Sequence, residues 1–164
     1  MAKIVINAGH TKLSKGTGAI GLLNESIETR NIAYELMRLL AHTNHEVIPA
    51  VIDKSNDNLK DVVKIANNAK CDLFVSIHLN AGGGTGCECY TWKGEKTKVA
   101  TRICDELSKL GFRNRGVKDG SHLYVIKKTN ANAVLIECCF VDNPSDKKIY
   151  NYQKIAKAIY NAIV

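Results

Sequence analysis

His10, Glu25 and His78 are the residues from which chemistry can first be built. They lie too far apart for a short metal motif such as His-Glu-x-x-His, yet each stands at the end of an element. His10 closes the run Lys3-Ile4-Val5-Ile6-Asn7-Ala8-Gly9, His78 stands near the end of Leu73-Phe74-Val75-Ser76-Ile77, and Glu25 opens an amphipathic helix. Two imidazoles and one carboxylate are a usual donor set for catalytic zinc, with a fourth position left over. Each residue taken singly has an ordinary explanation. A histidine after a strand can satisfy loop backbone, and a glutamate in a first helical turn complements the helix dipole. Their convergence on one edge favours a metal site, read here as one zinc ion. Glu28 shares a helical face with Glu25 at i, i+3, but Glu25 is nearer the helix start and is the preferred ligand.

Glu137 is the more informative acid. It follows Ala133-Val134-Leu135-Ile136 and precedes Cys138-Cys139-Phe140, and a carboxylate in such a run is pushed toward its protonated form by desolvation. That is what a proton shuttle needs. The alternative is a buried acid bonded to backbone donors or to an arginine such as Arg115. His42 and His45 fall at the far end of the first helix and read as surface residues. His122 precedes a predicted short strand at residues 123–126.

These residues need a scaffold, and the chain provides one. The run from Cys71 to Ala81 is the most strand-like in the sequence. Its unbroken apolar character predicts a strand covered on both faces, as in the middle of a parallel α/β sheet. Ligands of such sheets gather at the carboxyl ends of the strands. Residues 9–23 read as a long functional loop. Asn24 can cap a first helix carrying Ile32, Leu36, Leu39 and Leu40 on one face. A strand at residues 46–52 is pushed to the sheet edge by Pro49. Asn56 or Asp57 can cap a second helix with Leu59, Val62, Val63 and Ala66 inward. Residues 87–92 read as a strand, and Val99, Ile103, Leu107 and Leu110 mark a third helix ended by Gly111. Residues 113–121 are polar and read as another rim loop. Asn143-Pro144-Ser145-Asp146 is a helix start, and Tyr152, Ile155, Ala156, Ile159 and Ile163 form the buried stripe of a final helix. The fold class is therefore α/β: a single domain with a mostly parallel, mixed and twisted sheet and helices on both faces.

Composition narrows the function. A length of 164 residues suits one domain, and no apolar stretch approaches the ~20 residues of a membrane span. The net charge of +7 suits a polyanionic partner. No basic, aromatic-interleaved tract points to nucleic acid, whereas contact with an anionic wall polymer is compatible. The start of the chain carries no secretory signal pattern, so the six cysteines are read as buried free thiols in a reducing cytoplasm. Cys87 and Cys89 lack the two-residue spacer of zinc knuckles.

Ile6-Asn7-Ala8-Gly9-His10, Asn24-Glu25, Leu59 to Asn67, Asp72 to Asn80, Arg115-Gly116-Val117, and Val134-Leu135-Ile136-Glu137 with Asn143-Pro144-Ser145-Asp146 together resemble the zinc-dependent N-acetylmuramoyl-L-alanine amidases of the Amidase_3 type. The resemblance covers nearly the whole chain. It implies that His10, Glu25 and His78 bind zinc, that Glu137 is the catalytic acid/base, and that residues 1–164 are a catalytic domain. It implies as substrate the peptidoglycan amide between the lactyl group of N-acetylmuramic acid and L-alanine. With no visible signal, it suggests a phage endolysin that reaches the wall through a breached membrane; a bacterial autolysin is the other source. The chain departs from the family at Asn7-Ala8-Gly9-His10-Thr11, where Asp-Pro-Gly-His-Gly is usual. The family's Thr-Arg near Ala50 and its proline at Asn132 are also missing. No ligand is lost by these changes. A zinc peptidoglycan carboxypeptidase and a non-catalytic wall- or nucleic-acid-binding module are the rival functions.

Overall fold

The computed structural model describes residues 1–164. Strands β1 (Lys3–Ala8), β2 (Glu46–Ala50), β3 (Leu73–Asn80), β4 (Cys87–Thr91), β5 (Asn114–Asp119) and β6 (Asn132–Phe140) form one sheet. Their spatial order is β2-β1-β3-β6-β4-β5. β1, β2, β3 and β6 run parallel, whereas β4 pairs antiparallel with β6 and parallel with β5. The amino-terminal ends of β4 and β5 therefore share a rim with the carboxyl ends of the other four. β2 is an edge strand, which is what permits Pro49 within it.

Six helices cover the sheet: α1 (Glu25–Leu40), α2 (Asn58–Ala69), α3 (Lys98–Ser108), α4 (Tyr124–Lys128), α5 (Pro144–Ile149) and α6 (Tyr152–Ile163). Asn24, Asp57 and Thr97 cap α1, α2 and α3 through their side chains. Helices α1, α3 and α6 lie on one face over a core that includes Ile6, Ile77 and Ile136. Ile77 and Ile136 are register partners and fully buried, and each such side chain contributes about 1.5–3 kcal/mol. Helix α2 and the short helix α4 cover only part of the opposite face, over Val5, Phe74 and Leu135. Asn80 and Glu137 are only partly buried on that same face, on the rim side of these core residues, and Tyr90, level with Leu135, is partly buried too. No helix is long and apolar enough to cross a membrane.

Four sequence expectations are corrected. Residues 113–121 are not a loop, since Asn114–Asp119 pair with β4 as the second edge strand; polar residues suit a strand with one partner and a half-exposed face. Residues 123–126 form no strand and begin α4 instead. Four consecutive apolar residues satisfy either period, and docking Val125 and Ile126 against α2 and the sheet decides it. The carboxyl-terminal segment is two helices, because Asn151 caps a new one by accepting from Lys154 N at 3.0 Å, and Tyr152 is exposed. Leu59 is also 49% exposed and so is not part of the inward face of α2.

All six cysteines are buried and unpaired.

Candidate active site

Each proposed ligand is delivered by a different element. β1 ends at Ala8 and passes directly to His10, whose φ of 63° is left-handed, a conformation uncommon outside glycine. Arg30, nearly buried on α1, holds that conformation. Its Nη2 donates to the carbonyls of His10 (3.2 Å) and Ile52 (2.9 Å), its Nη1 to Ser26 O (2.7 Å), and its Nε to Asp53 (2.7 Å). Glu25 opens α1 and is only 3% exposed. His78 lies near the end of β3, in register with Glu137 on β6.

The donor atoms meet. Glu25 Oε1 is 3.1 Å from His10 Nε2 and 3.2 Å from His78 Nδ1, and the three ligand atoms all lie within 4.8 Å of one another. The rings stand edge to face with centroids 5.0 Å apart. The remaining contacts fix which ring nitrogens face inward. His10 Nδ1 donates to Gly16 O at 3.0 Å, so its Nε2 carries the lone pair of the neutral ring. Asn7 Nδ2 donates to the carbonyls of Ala8 and Ala50, which turns Asn7 Oδ1 toward Ser76. Ser76 donates its hydroxyl proton to that oxygen at 2.7 Å and is left to accept from His78 Nε2 at 3.1 Å. His78 Nδ1 is then also a lone pair. In their neutral forms the two imidazoles aim lone pairs at a carboxylate oxygen, so a proton on a ring nitrogen or a metal ion must lie between them. The set could hold a metal ion, and its donor chemistry fits one.

Electrostatics follow this geometry. Burial works to raise the Glu25 pKa, but hydrogen bonds and charge from both histidines overcome it and hold the group far below its usual range. Backbone donation from Leu79 N at 3.1 Å and Ala19 N at 2.8 Å also meets this carboxylate. Burial lowers the His78 pKa against the pull of Glu25. At His10 burial also lowers it, but the Glu25 contacts outweigh burial and raise it. Close approach is built into the backbone: a Cβ on Gly9 would lie 2.4 Å from the His78 ring, and one on Gly18 would lie 2.6 Å from Glu25 Oε2.

Glu137 stands beside this cluster without joining it. Its Oε2 is buried and has no hydrogen-bond partner. Burial first, and then the negative charges of Glu25 and Glu88, push its pKa up to about 8. Arg115, the partner considered from sequence, is engaged elsewhere: its Nε donates to Glu88 at 2.6 Å. Glu28 is likewise outside the cluster, accepting from Asn31 and from the Tyr150 hydroxyl. His45 accepts from Ala2 N at the far end of the sheet. His122 is exposed and stacks edge-on against Tyr90. A cavity of about 160 Å³ adjoins His10 and His78, walled by Leu59, Val62, Leu123 and Tyr124. Asn7, Arg30, Ser76 and Leu59 thus support or line the site without having been picked out for it from the sequence. For Asn7 and Ser76 the available signal was a polar side chain inside an apolar strand run.

Comparison with known proteins agrees with this architecture. Residues 4–164 match the family model described as N-acetylmuramoyl-L-alanine amidase. An uncharacterized protein of Clostridium perfringens, CPE1502, is 37% identical over 98% of this chain and 51% of its own length. The N-acetylmuramoyl-L-alanine amidase CwlM of Bacillus licheniformis is 34% identical over 89% of this chain and 59% of its own. The chain thus spans about half the length of the curated relatives it matches. Among solved structures, the catalytic domain of the CD27L endolysin targeting Clostridia difficile superposes with a TM-score of 0.90 at 31% identity, covering 99% of this chain and 97% of that one. On these matches and this fold, the chain belongs to the N-acetylmuramoyl-L-alanine amidase family.

Proposed function

We propose that this chain is a zinc-dependent amidase domain that hydrolyses the amide between the lactyl group of N-acetylmuramic acid and the L-alanine of the stem peptide. The observation that carries the proposal is the pairing of two unlike sites: a three-donor cluster that calls for a cation, and beside it a buried carboxyl with an unpartnered oxygen. His10 Nε2, His78 Nδ1 and Glu25 would hold the ion. A zinc ion there supplies Lewis acidity, stabilising negative charge on the carbonyl oxygen and acidifying water. Glu137 takes the proton of the attacking water as the C–O bond forms, and gives it to the leaving alanine nitrogen as the C–N bond breaks. A carboxyl poised near neutral pH can do both. Asn7 and Ser76 keep His78 in the tautomer that the ion requires, and Arg30 keeps His10 facing inward. Likeness to an endolysin catalytic domain supports a wall-lytic role after the membrane is breached.

The test is digestion of purified walls with mass spectrometry of the products. Release of stem peptides with a free N-terminal alanine, abolished by a chelator and restored by zinc, is the expected result. Peptides shortened at the carboxyl end would instead identify a carboxypeptidase. Full activity in metal-free protein would refute the zinc assignment.

A further inference from the structure

The polar stripe that contains His78 and Glu137 does not stop at Glu137. Antiparallel pairing sets Glu88 of β4 directly opposite Glu137, so the two side chains are neighbours on one face. Glu88 is 2% exposed and fully partnered. Its Oε1 accepts from Asn80 Nδ2 at 3.0 Å and the Tyr90 hydroxyl at 2.8 Å. Its Oε2 meets Arg115 Nε at 2.6 Å and Lys118 Nζ at 3.0 Å. A single buried anion thus gathers two cations at the rim, leaving one positive charge without a counter-charge. Arg115 spends only its Nε on Glu88, and its guanidinium lies 5.2 Å from the centre of the Phe140 ring, which fixes its plane. Its side chain is 28% exposed and that of Lys118 39%, so the remaining donors face solvent. A guanidinium held on one edge and open on the other suits bidentate capture of a carboxylate.

We propose that Arg115 and Lys118, positioned by Glu88, bind a free carboxylate on the peptide side of the scissile amide, so that the stem peptide lies across β4 and β5. The proposal rests on the amidase reading. β5 lies two strands from β6, so at about 4.8 Å per strand the cationic pair stands about 10 Å from Glu137. That is the reach of the residue following alanine, whose α-carboxylate is free when it is γ-linked glutamate and is lost when it is amidated. Arg115 and Lys118 would then be specificity residues that distinguish acidic from amidated stems.

The experiment compares the zinc-loaded protein on N-acetylmuramoyl-L-alanyl-D-glutamate blocked as its γ-methylamide, so that only the α-carboxylate is free, with the same compound carrying a primary α-amide as well. Wild type should show a lower KM for the acid. Lys118→Gln and Arg115→Gln should each raise that KM toward the amide value, by roughly ten- to a hundredfold for the loss of a charge-assisted contact. Lys118→Gln leaves the Arg115–Glu88 contact in place, and so guards against misfolding of the Arg115 variant; melting temperature and zinc content are measured for both. Equal KM values in wild type, or undiminished discrimination in both variants, would overturn the proposal. If wild type cleaves neither compound, the amidase reading fails and NMR titration with L-alanyl-D-glutamate γ-methylamide, as the α-acid and as its α-amide, decides the inference by itself. Shifts at Arg115 Nε–H with the acid and not with its amide would sustain it, and no shift with either would overturn it.

Discussion

Replacing Glu137 with glutamine should make the metal-free protein more stable at alkaline pH. The folded state holds the Glu137 proton more tightly than the unfolded chain does, since its pKa rises from 4.5 to about 8. The contribution of the protonated Glu137 to stability is therefore fully present below about pH 4.5, is lost as pH rises to about 8, and is level above that. At about 1.4 kcal/mol per pH unit, the loss has a ceiling of about 5 kcal/mol. Glutamine keeps the shape and cannot ionise, so the advantage of Glu137→Gln over wild type should grow across this window and then stay constant. The assay is urea unfolding of both proteins in chelator between pH 4 and 9, plotted as the difference in unfolding free energy. Histidine titration common to both proteins largely cancels in that difference. Extrapolation carries about 10–15% uncertainty, so a change of about 2 kcal/mol is measurable. Zinc adds positive charge beside Glu137 and should narrow the window. A difference independent of pH would refute the reasoning, because it would mean that Glu137 is ionised and partnered in the fold.

Ser76→Ala breaks the chain from Asn7 to His78 and should weaken zinc binding about 10–100-fold; competition against a chromophoric chelator measures this, and unchanged affinity would remove Ser76 from the site. His78→Ala should lose zinc and turnover together, while Glu137→Gln should keep its zinc and lose about 10²–10⁴-fold in rate, as metal analysis alongside wall lysis will report. Asp146→Ala should cost about 2–4 kcal/mol, because Asp146 accepts from Phe140 N, Gly86 N and the Thr85 hydroxyl; a loss below about 1 kcal/mol in urea unfolding would contradict this. Reducing agent should leave melting temperature and activity unchanged, since a native disulfide would contribute about 2–4 kcal/mol and all six thiols are unpaired.

Strands β1, β3 and β6 were legible because covering on both faces demands uninterrupted apolar runs, and the chemistry-bearing residues punctuate those runs at one end. β5 was illegible for a related reason. Its Arg115 and Lys118 serve Glu88, so a strand with one partner reads as a polar loop. The α4 segment carries no period in four residues, and only its packing selects a helix. The convergence of His10, Glu25 and His78 could be inferred from element ends. The support beneath it could not, because Asn7 meets Ser76 across 69 residues of sequence and Arg30 meets the His10 carbonyl across 20. Nor did any local pattern announce that antiparallel pairing would bring Glu88 against Glu137.

The incomplete cover given by α2 and α4 governs how a polymer can approach. A cross-linked mesh offers few loose ends, and a blind pocket would admit only those. A sheet face roofed over one half lets an internal bond be laid in from the side, with the chain continuing in both directions along an open trough. Under the proposed function, cleavage would then not depend on threading, and wall polymer would be open to cutting along its length. The same openness means that no roof excludes water from Glu137, so dryness at the proton-carrying oxygen has to come from the neighbouring strands and from the substrate itself.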